Sequence, residues 1–334
     1  MKIIQIEVST VCNGACIYCP LTIFSATWNR KFMDISLFIK ILNEGKELGF
    51  EHVHLQGWGE PLLHPRFIEL LSMAKTSFMT SFATNGVYLT NEMAHRILKA
   101  GVDLVAVTFA GATAATHNMI RKGNDFDTVV QNVKNFIKIS KLHHNRPKVV
   151  AIYMLLKETL RELPRFVELA ANLGVDEINL SNISYIPNLH TWRRRIFTEF
   201  FREVPHEVLE TIKEARRIAE EFGIPLNHRR FSPLEYTICP ENPLSTLFIN
   251  VEGDVSPCVY LNIPAHDLVR CFEGRCEKAP RLVFGNLKTE NLKTILTKRR
   301  YKDFINIWEM RVRETTIPVF PPDECKNCYL LYGI

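Results

Sequence analysis

Three cysteines near the start of the chain have a spacing that suits metal chemistry. Cys12, Cys16 and Cys19 form a CxxxCxxC motif directly after a predicted β-strand. Three thiolates on one loop can ligate three irons of a cubane cluster and leave the fourth iron without a protein ligand. An open metal position of this kind is where a substrate or cofactor binds in catalytic sites. Structural zinc normally pairs one CxxC with a second CxxC or a His pair, so the spacing favours an iron–sulfur cluster.

The whole set of nine cysteines points in the same direction. Their odd number and uneven spacing argue against a disulfide framework and for metal or redox chemistry. The amino terminus is apolar but interrupted by Gln5 and Glu7, which argues against a signal peptide. We therefore expect a cytoplasmic protein. Disulfides are rare in that reducing compartment, so the cysteines need another role.

Two loops that follow predicted strands could bind a ligand. Gly57 and Gly59 flank Trp58 in a GWGEP sequence, and such glycines let the backbone come close to a ligand. Glu60 supplies an acceptor for a cationic amine. Asn85 ends the next strand in a Thr-Asn-Gly sequence. The alternative for both loops is a plain tight turn, with Asn-Gly in a left-handed conformation at the second.

These ordered motifs resemble those of the radical S-adenosylmethionine (SAM) superfamily. The triad, with Tyr18 just before its third cysteine, is similar to the superfamily's cluster motif. The resemblance implies a 4Fe–4S cluster whose open iron is chelated by the amino and carboxylate groups of SAM. One electron from the cluster then cleaves SAM to methionine and a 5′-deoxyadenosyl radical, which takes a hydrogen atom from the substrate.

The same resemblance assigns SAM contacts. Gly57, Gly59 and Glu60 resemble the GGEP element that binds the methionine amino group, with Trp58 in place of a glycine. The residues that the resemblance implies as further contacts are Tyr18 against the adenine, Asn85 in the TNG element, Thr108 where relatives often have SxDG, and Arg121 as the partner of the SAM carboxylate. A guanidinium suits that bidentate task; a surface arginine on a helix is the alternative.

The fold class that we predict is α/β, a partial (β/α)6 TIM-like barrel followed by a small α+β cluster-binding domain. Strand-like runs at 2–9, 52–56, 79–83, 104–108, 149–156 and 177–180 alternate with helical patterns at 35–48, 67–74, 91–100, 126–142 and 163–173. Six such units imply a parallel sheet with right-handed crossovers. We expect the barrel at 1–185, a helical bridge at 186–232 and the small domain at 233–334. The predicted SAM contacts follow strands, where a barrel of this class places its active site.

The small domain resembles the twitch domain, a shortened relative of the SPASM domain. The resemblance implies an auxiliary 4Fe–4S cluster on Cys239, Cys258, Cys325 and Cys328, the last two of which form a CxxC pair. A structural zinc site built from the same four residues is the alternative.

Two further cysteines, Cys271 and Cys276, are candidate catalytic residues. As in some radical SAM epimerases, one thiol could give a hydrogen atom to a substrate radical. The alternatives are inert cysteines on a loop, or ligands of a second auxiliary cluster completed by His266 or Asp267.

Composition limits the partners. The hydrophobic share of 46% and charged share of 23% are ordinary for a 334-residue globular protein, and we find no apolar run long enough for a membrane helix. The formal charge of +5 falls to about +2 once one three-thiolate and one four-thiolate cluster are counted. This charge is too small to indicate nucleic acid as a partner.

Basic runs lie at 193–195, 229–230 and 298–300. They are either solvated faces or a docking patch for an acidic flavodoxin or ferredoxin-type electron donor.

The resemblance leaves the substrate open. Most relatives with such a C-terminal domain act on polypeptides, and maturases associated with tungsten-dependent oxidoreductases are among them. Our first hypothesis is therefore maturation of a peptide or protein. The second is a small-molecule dehydrogenase or epimerase of the carbohydrate or aminoglycoside type. The third, an electron carrier without catalysis, is disfavoured by the SAM-binding elements.

Overall fold

The computed structural model describes residues 1–314 and 318–334. The strands within these residues are β1 (Ile3–Ile6), β2 (Ala15–Cys16), β3 (His52–Leu55), β4 (Met79–Thr84), β5 (Leu104–Phe109), β6 (Arg121–Lys122), β7 (Lys148–Met154), β8 (Glu177–Ser181), β9 (Leu226–His228), β10 (Thr246–Ile249), β11 (Asp254–Ser256), β12 (Val269–Phe272), β13 (Arg275–Lys278) and β14 (Gly285–Asn286). The helices are α1 (Pro20–Ile23), α2 (Ile35–Glu47), α3 (Phe67–Lys75), α4 (Asn91–Ala100), α5 (Ala114–Ile120), α6 (Phe126–Ser140), α7 (Lys157–Leu160), α8 (Leu163–Leu173), α9 (Leu189–Trp192), α10 (His206–Glu221), α11 (Leu292–Thr297) and α12 (Arg299–Arg313).

One ten-stranded sheet in the order β14-β11-β10-β1-β3-β4-β5-β7-β8-β9 forms the centre of the molecule. The run from β10 to β9 is parallel throughout, and the connections between successive barrel strands contain helices. The sheet does not close on itself in this order, so the architecture is the predicted partial barrel. All six predicted strands are present, with ends that differ by a few residues from the predicted ones.

The two faces of the sheet differ in polarity because strand side chains alternate. On β1, Ile4 and Ile6 belong to the buried core that also contains Leu37 and Ile41 of α2. On the opposite face, His54 of β3 and Ser81 of β4 are polar and bond to each other. The outer face therefore packs on helices, and the inner face carries this polar pair.

The C-terminal region continues the same sheet. β10 pairs in parallel with β1, from Ile3 opposite Thr246 to Ile6 opposite Ile249. β11 runs antiparallel to β10 as a hairpin, and β14 then adds to β11. Within 186–232, α10 packs on α8 and β9 adds to β8. The domain limits at 185 and 232 stay a prediction.

Candidate functional site

The cysteine triad is held by a short two-stranded ribbon. β2 pairs antiparallel with β6, which places Cys16 opposite Arg121. The Gly14 N–H donates to Cys12 Sγ at 3.4 Å, and Asn124 Nδ2 donates to Cys16 Sγ at 3.6 Å. Donors to sulfur of this kind stabilise thiolates and tune the clusters that thiolates hold.

The triad thiols are partly buried and close enough to repel one another as thiolates. Burial raises the pKa of Cys12 to about 11, and the nearby Glu60 and Cys16 add to the rise. Burial raises the pKa of Cys19 to about 12, reinforced by Cys16. These two thiols are therefore protonated at neutral pH until a metal displaces the protons, which fits a cationic cluster. Across the described residues no group of three or more His, Cys, Asp or Glu side chains is arranged for a single metal ion, so ligation by the triad stays a prediction.

Arg121 is a buried residue with hydrogen-bonding capacity to spare. Its side chain is 5% exposed, which contradicts the alternative of a surface arginine. Its Nη1 donates to the Tyr18 hydroxyl at 2.8 Å, and its Nε is buried without a partner in the described part of the chain. A buried guanidinium with an unused N–H fits an anionic ligand such as a carboxylate.

The glycines of the GWGEP loop are required by its packing against β1 and the residues that follow it. A Cβ on Gly59 would lie 2.3 Å from the Ser9 carbonyl oxygen, and one on Gly57 would lie 2.2 Å from Glu7 Cγ. Between them, the Trp58 N–H donates to Glu7 Oε1 at 2.9 Å. The two glycines therefore allow close approach of protein atoms, and their predicted contact with a ligand stays a prediction.

Glu60 accepts three hydrogen bonds inside the protein. Its Oε1 accepts from Thr84 Oγ1 at 2.7 Å and from the Leu62 N–H at 3.1 Å, and its Oε2 accepts from the Asn85 N–H at 2.7 Å. Burial raises the pKa of Glu60, and the bonds from Asn85 and Thr84 oppose the rise. The carboxylate therefore ties the GWGEP loop to the TNG loop.

Asn13 connects the triad loop to two of its neighbours. Asn85 Nδ2 donates to Asn13 Oδ1 at 2.8 Å, while Asn13 Nδ2 donates to the Gly123 carbonyl at 2.9 Å and to Asn124 Oδ1 at 3.1 Å. Together with Glu60, this side chain joins the loops after β1, β3 and β4 and the turn after β6 into one hydrogen-bonded unit.

The three triad cysteines and all the predicted SAM-contacting residues line one cavity at this edge of the sheet. Its walls include Cys12, Cys16, Cys19, Tyr18, Gly57, Trp58, Gly59, Glu60, Asn85, Thr108 and Arg121. Gln56 and Asn124 also line the cavity, and Glu7 and Asn13 position its loops, although none of the four was predicted as a site residue. The sequence does contain a signal for Glu7. Strand side chains alternate between the two faces, so an acid two residues after Gln5 must lie on the same polar face.

The second cysteine set also comes together. Burial raises the pKa of Cys239 to about 12, and the Cys328 thiol adds to the rise. Burial raises the pKa of Cys258 well above its usual range, with further increases from Glu241, Cys239, Cys325 and Cys328. Glu241 was not predicted from the sequence. Burial raises its pKa, and the nearby Arg229 opposes part of the rise.

An aromatic cluster links the two cysteine sets. The ring of Trp58 lies 5.9 Å from that of Tyr260, 6.0 Å from that of Trp28 and 6.3 Å from that of Tyr185. Tyr260 follows Cys258 by two residues, and Cys12 and Cys19 pack on the same cluster. The tryptophan that replaces a family glycine therefore reaches from the cavity to the auxiliary site.

Cys271 and Cys276 are joined by a disulfide across the β12–β13 hairpin, where they lie directly opposite each other. Cys271 is fully buried in an apolar cluster that also contacts Tyr18, whereas Cys276 is exposed. A role as hydrogen donor therefore requires the reduced pair, and it stays a prediction.

None of the described helices is long and apolar enough to cross a membrane.

Comparisons with known proteins bear on the identity of the chain. Residues 6–170 match the family model described as the radical SAM superfamily, and residues 239–329 match the SPASM model, described as an iron–sulfur cluster-binding domain. These two stretches cover most of the chain and contain the two cysteine sets.

Curated relatives span most of the chain as well. The tungsten-containing aldehyde ferredoxin oxidoreductase cofactor-modifying protein of Pyrococcus furiosus is 26% identical over 310 residues, which cover 91% of this chain and 83% of that protein. A probable GTP 3′,8-cyclase of Saccharolobus islandicus is 28% identical over 281 residues, which cover 81% and 87%.

A solved structure has the same fold. SuiB of Streptococcus suis bound to S-adenosylmethionine superposes with a TM-score of 0.66 at 14% identity, covering 99% of this chain and 71% of that one. SuiB has also been solved bound to precursor peptide SuiA. The chain therefore belongs to the radical SAM superfamily, as an enzyme that uses 4Fe–4S clusters and S-adenosylmethionine and carries a C-terminal SPASM-type cluster-binding domain.

Proposed function

We propose that this enzyme matures a peptide or protein substrate in the space between its two cysteine sets. The observation that carries the proposal is the contact between Trp58 and Tyr260, whose ring centroids lie 5.9 Å apart. Trp58 lines the SAM cavity, and Tyr260 follows Cys258 by two residues. A substrate that reaches the cavity then also lies near the auxiliary site, as an oxidation that passes an electron onward requires.

The residues of the chain have separate tasks in this proposal. Cys12, Cys16 and Cys19 would hold the SAM-binding cluster, and Cys239, Cys258, Cys325 and Cys328 the auxiliary one. With SAM bound, the first cluster would supply the electron that cleaves SAM to methionine and a 5′-deoxyadenosyl radical. Arg121 would pair with the SAM carboxylate through the N–H groups that Tyr18 leaves free, and Tyr18, Trp58, Asn85 and Thr108 would enclose the rest of SAM. Gly57, Gly59 and Glu60 would face the methionine amino group of SAM, as the resemblance implies, and the hydrogen bonds of Glu60 hold their loop.

A structural neighbour supports a peptide substrate, because SuiB has been solved with a precursor peptide. The Pyrococcus relative is named for modifying the cofactor of an oxidoreductase, which is a maturation reaction but does not itself name a peptide. The electron for SAM cleavage would come from a flavodoxin or ferredoxin-type donor. A reducing compartment such as the cytoplasm would keep the seven unpaired cysteines reduced.

The second candidate is a small-molecule dehydrogenase or epimerase. The observations that favour it are the relative named as a GTP 3′,8-cyclase and the position of Cys271 in the apolar cluster that contacts Tyr18. An epimerase would use the reduced Cys271 or Cys276 to return a hydrogen atom to the substrate radical, and a dehydrogenase would not need either thiol.

Deuterium transfer distinguishes the two candidates. Extract from cells grown in heavy water is divided by size, and each fraction is incubated with reduced enzyme and SAM. The proposal predicts that deuterium enters 5′-deoxyadenosine from the protein fraction and that protease treatment abolishes the transfer. Label from the small-molecule fraction alone would overturn the proposal. The Cys16→Ala variant, which lacks a cluster ligand, is the control for background SAM breakdown.

Iron content tests the auxiliary cluster separately. Anaerobically reconstituted enzyme should hold about eight irons, four per cubane, and joint replacement of Cys12, Cys16 and Cys19 should remove about half of them. One equivalent of zinc with only about four irons would show that the second site is structural zinc.

A further inference from the structure

The inner face of the sheet carries a hydrogen-bonded chain that none of these roles uses. Gln56 lines the SAM cavity, and its Oε1 lies 2.6 Å from His54 Nε2. His54 Nδ1 lies 2.6 Å from Ser81 Oγ, and the same hydroxyl lies 2.6 Å from His52 Nε2. The chain thus begins at the cavity wall and ends at the first residue of β3, away from the cavity.

Valence fixes the hydrogens along this chain. Gln56 Oε1 can only accept, so His54 carries its hydrogen on Nε2 and its Nδ1 accepts from the Ser81 hydroxyl. Burial lowers the pKa of His54 to about 4, so a single ring hydrogen is expected at neutral pH. Ser81 has no second hydrogen and must accept from His52 Nε2.

The His52 end of the hydrogen-bonded chain determines in which direction its hydrogen bonds run. His52 Nδ1 is buried and has no hydrogen-bond partner within residues 1–314 and 318–334. If the Gln56 amide were turned over, His54 would carry its hydrogen on Nδ1 and donate to Ser81 Oγ. One hydrogen would then have no acceptor, either on the Ser81 hydroxyl or on His52 Nδ1. Buried N–H groups without an acceptor are rare because they are costly. The chain therefore holds the Gln56 carbonyl toward His54 and its NH2 group away from it.

We propose that Gln56 is a ligand-binding residue that donates from its amide NH2 group to an acceptor oxygen of the molecule in the cavity. His54, Ser81 and His52 are positioning residues, because they fix which end of the amide faces the ligand. The hydrogen-bonded chain orients the Gln56 amide and does not conduct protons, because a neutral amide at its cavity end does not readily take up and release a proton. The inference rests on the proposed function only in taking this cavity as the SAM and substrate site.

The acceptor oxygen belongs either to SAM, through its carboxylate or ribose, or to the substrate. Reconstituted Gln56→Leu enzyme with unchanged iron content distinguishes these sources. An oxygen on SAM predicts SAM binding weaker by about three- to tenfold, the value of one hydrogen bond. An oxygen on the substrate predicts unchanged SAM affinity and a similar loss of deuterium transfer from the labelled extract. Unchanged SAM affinity together with unchanged transfer from every fraction would overturn the proposal.

The SAM arm of this test is independent of what the substrate is, so it can fail or succeed apart from the proposed function. The matched control is Gln131→Leu, which removes an exposed glutamine on α6 that bonds only to Asn135 in the described residues. It should bind SAM and transfer deuterium as the unaltered enzyme does.

The positioning role has its own readout. Nitrogen NMR of histidine-labelled enzyme with oxidised clusters should find His54 with its hydrogen on Nε2, and His54→Gln identifies the signal. Ser81→Ala should shift the His54 tautomer equilibrium and weaken ligand binding less than Gln56→Leu does. The double variant should be no weaker than Gln56→Leu alone, because the two changes act on one chain. A hydrogen on His54 Nδ1, or additive losses, would overturn the positioning role.

Discussion

At the scale of single residues, the close approach of two backbone segments governs the SAM loop. A Cβ at Gly59 meets the Ser9 carbonyl at 2.3 Å and Thr10 Cα at 2.8 Å, and backbone atoms cannot rotate away. Gly59→Ala must therefore displace the loop that carries Trp58. We expect SAM affinity to fall at least tenfold, because misplacement of about 1 Å commonly costs that much in a preorganised site, and the check is equilibrium SAM binding.

Gly49 provides the control for that variant. Its φ of +74° makes alanine strained, but a Cβ there has no neighbour within 4 Å. Gly49→Ala should lower stability by about 1 kcal/mol and leave SAM affinity unchanged. Equal SAM affinity in both variants would mean that the loop relaxes without consequence.

Glu7 should give the enzyme a pH-dependent stability. Burial raises its pKa from the ordinary 4.5 to about 7, against hydrogen bonds from the Trp58 and Val251 backbones. Between these two values the folded state binds more protons than the unfolded state, so this carboxyl lowers stability as pH rises through the window. The full effect is about 3 kcal/mol above pH 7, because a tenfold change in proton affinity corresponds to about 1.4 kcal/mol.

Glu7→Gln removes that titration. Relative to the unaltered enzyme, its melting temperature should be higher at pH 8 than at pH 5 by roughly 5 °C. The surface control is Glu69→Gln. The hydrogen bond from Arg66 lowers the pKa of Glu69, so the effect of this variant on the melting temperature should not change between pH 5 and pH 8. A Glu7→Gln difference that is flat from pH 5 to pH 8 would show that Glu7 is ionised throughout.

At the scale of elements, the two-residue strands β2 and β6 depend on side-chain bonds for their stability. Asn13 supplies these bonds to Gly123, Asn124 and Asn85. Asn13→Ala should loosen the triad loop, and we expect iron loss to a chelator to become several-fold faster while the far-UV circular dichroism stays the same. Asn135→Ala, on the exposed side of α6, should lose iron at the unaltered rate. Equal half-lives would assign the stability of the loop to its backbone pairing alone.

The elements that the sequence predicted well are those with a local signal. The run at 104–108 is β-branched and apolar and became β5, and the helix predicted at 91–100 has the same bounds as α4, which Thr90 caps and Gly101 ends. The pairing of β1 with β10 joins residues about 240 positions apart and has no local signal. For the same reason the sequence could place Gly59 and Glu60 at the site but not reveal that their partners are Ser9, Thr84 and Asn85.

At the scale of the whole molecule, the SPASM-type region completes the sheet as well as carrying cysteines. Leu247 and Ile249 on β10 belong to the same core as Ile4 and Ile6, and Trp308 of α12 is fully buried in it. A region that only held a cluster would be separable from the barrel. Here its first strand covers the edge of β1, which would otherwise present unpaired backbone groups beside apolar side chains.

Truncation separates the structural role of this region from cluster binding. Residues 1–238 alone keep every predicted SAM contact but expose the β1 edge and the apolar surface that β10 covers. We expect this fragment to aggregate on expression, as exposed edge strands with apolar faces do. The full chain with Cys239→Ser and Cys325→Ser is the matched control, because it loses auxiliary ligands and keeps the strand. It should stay in solution, bind about four irons and bind SAM. A monomeric 1–238 fragment with native-like circular dichroism and SAM binding would mean that the barrel folds without β10. Aggregation of both proteins would instead assign the stability of the region to its auxiliary site.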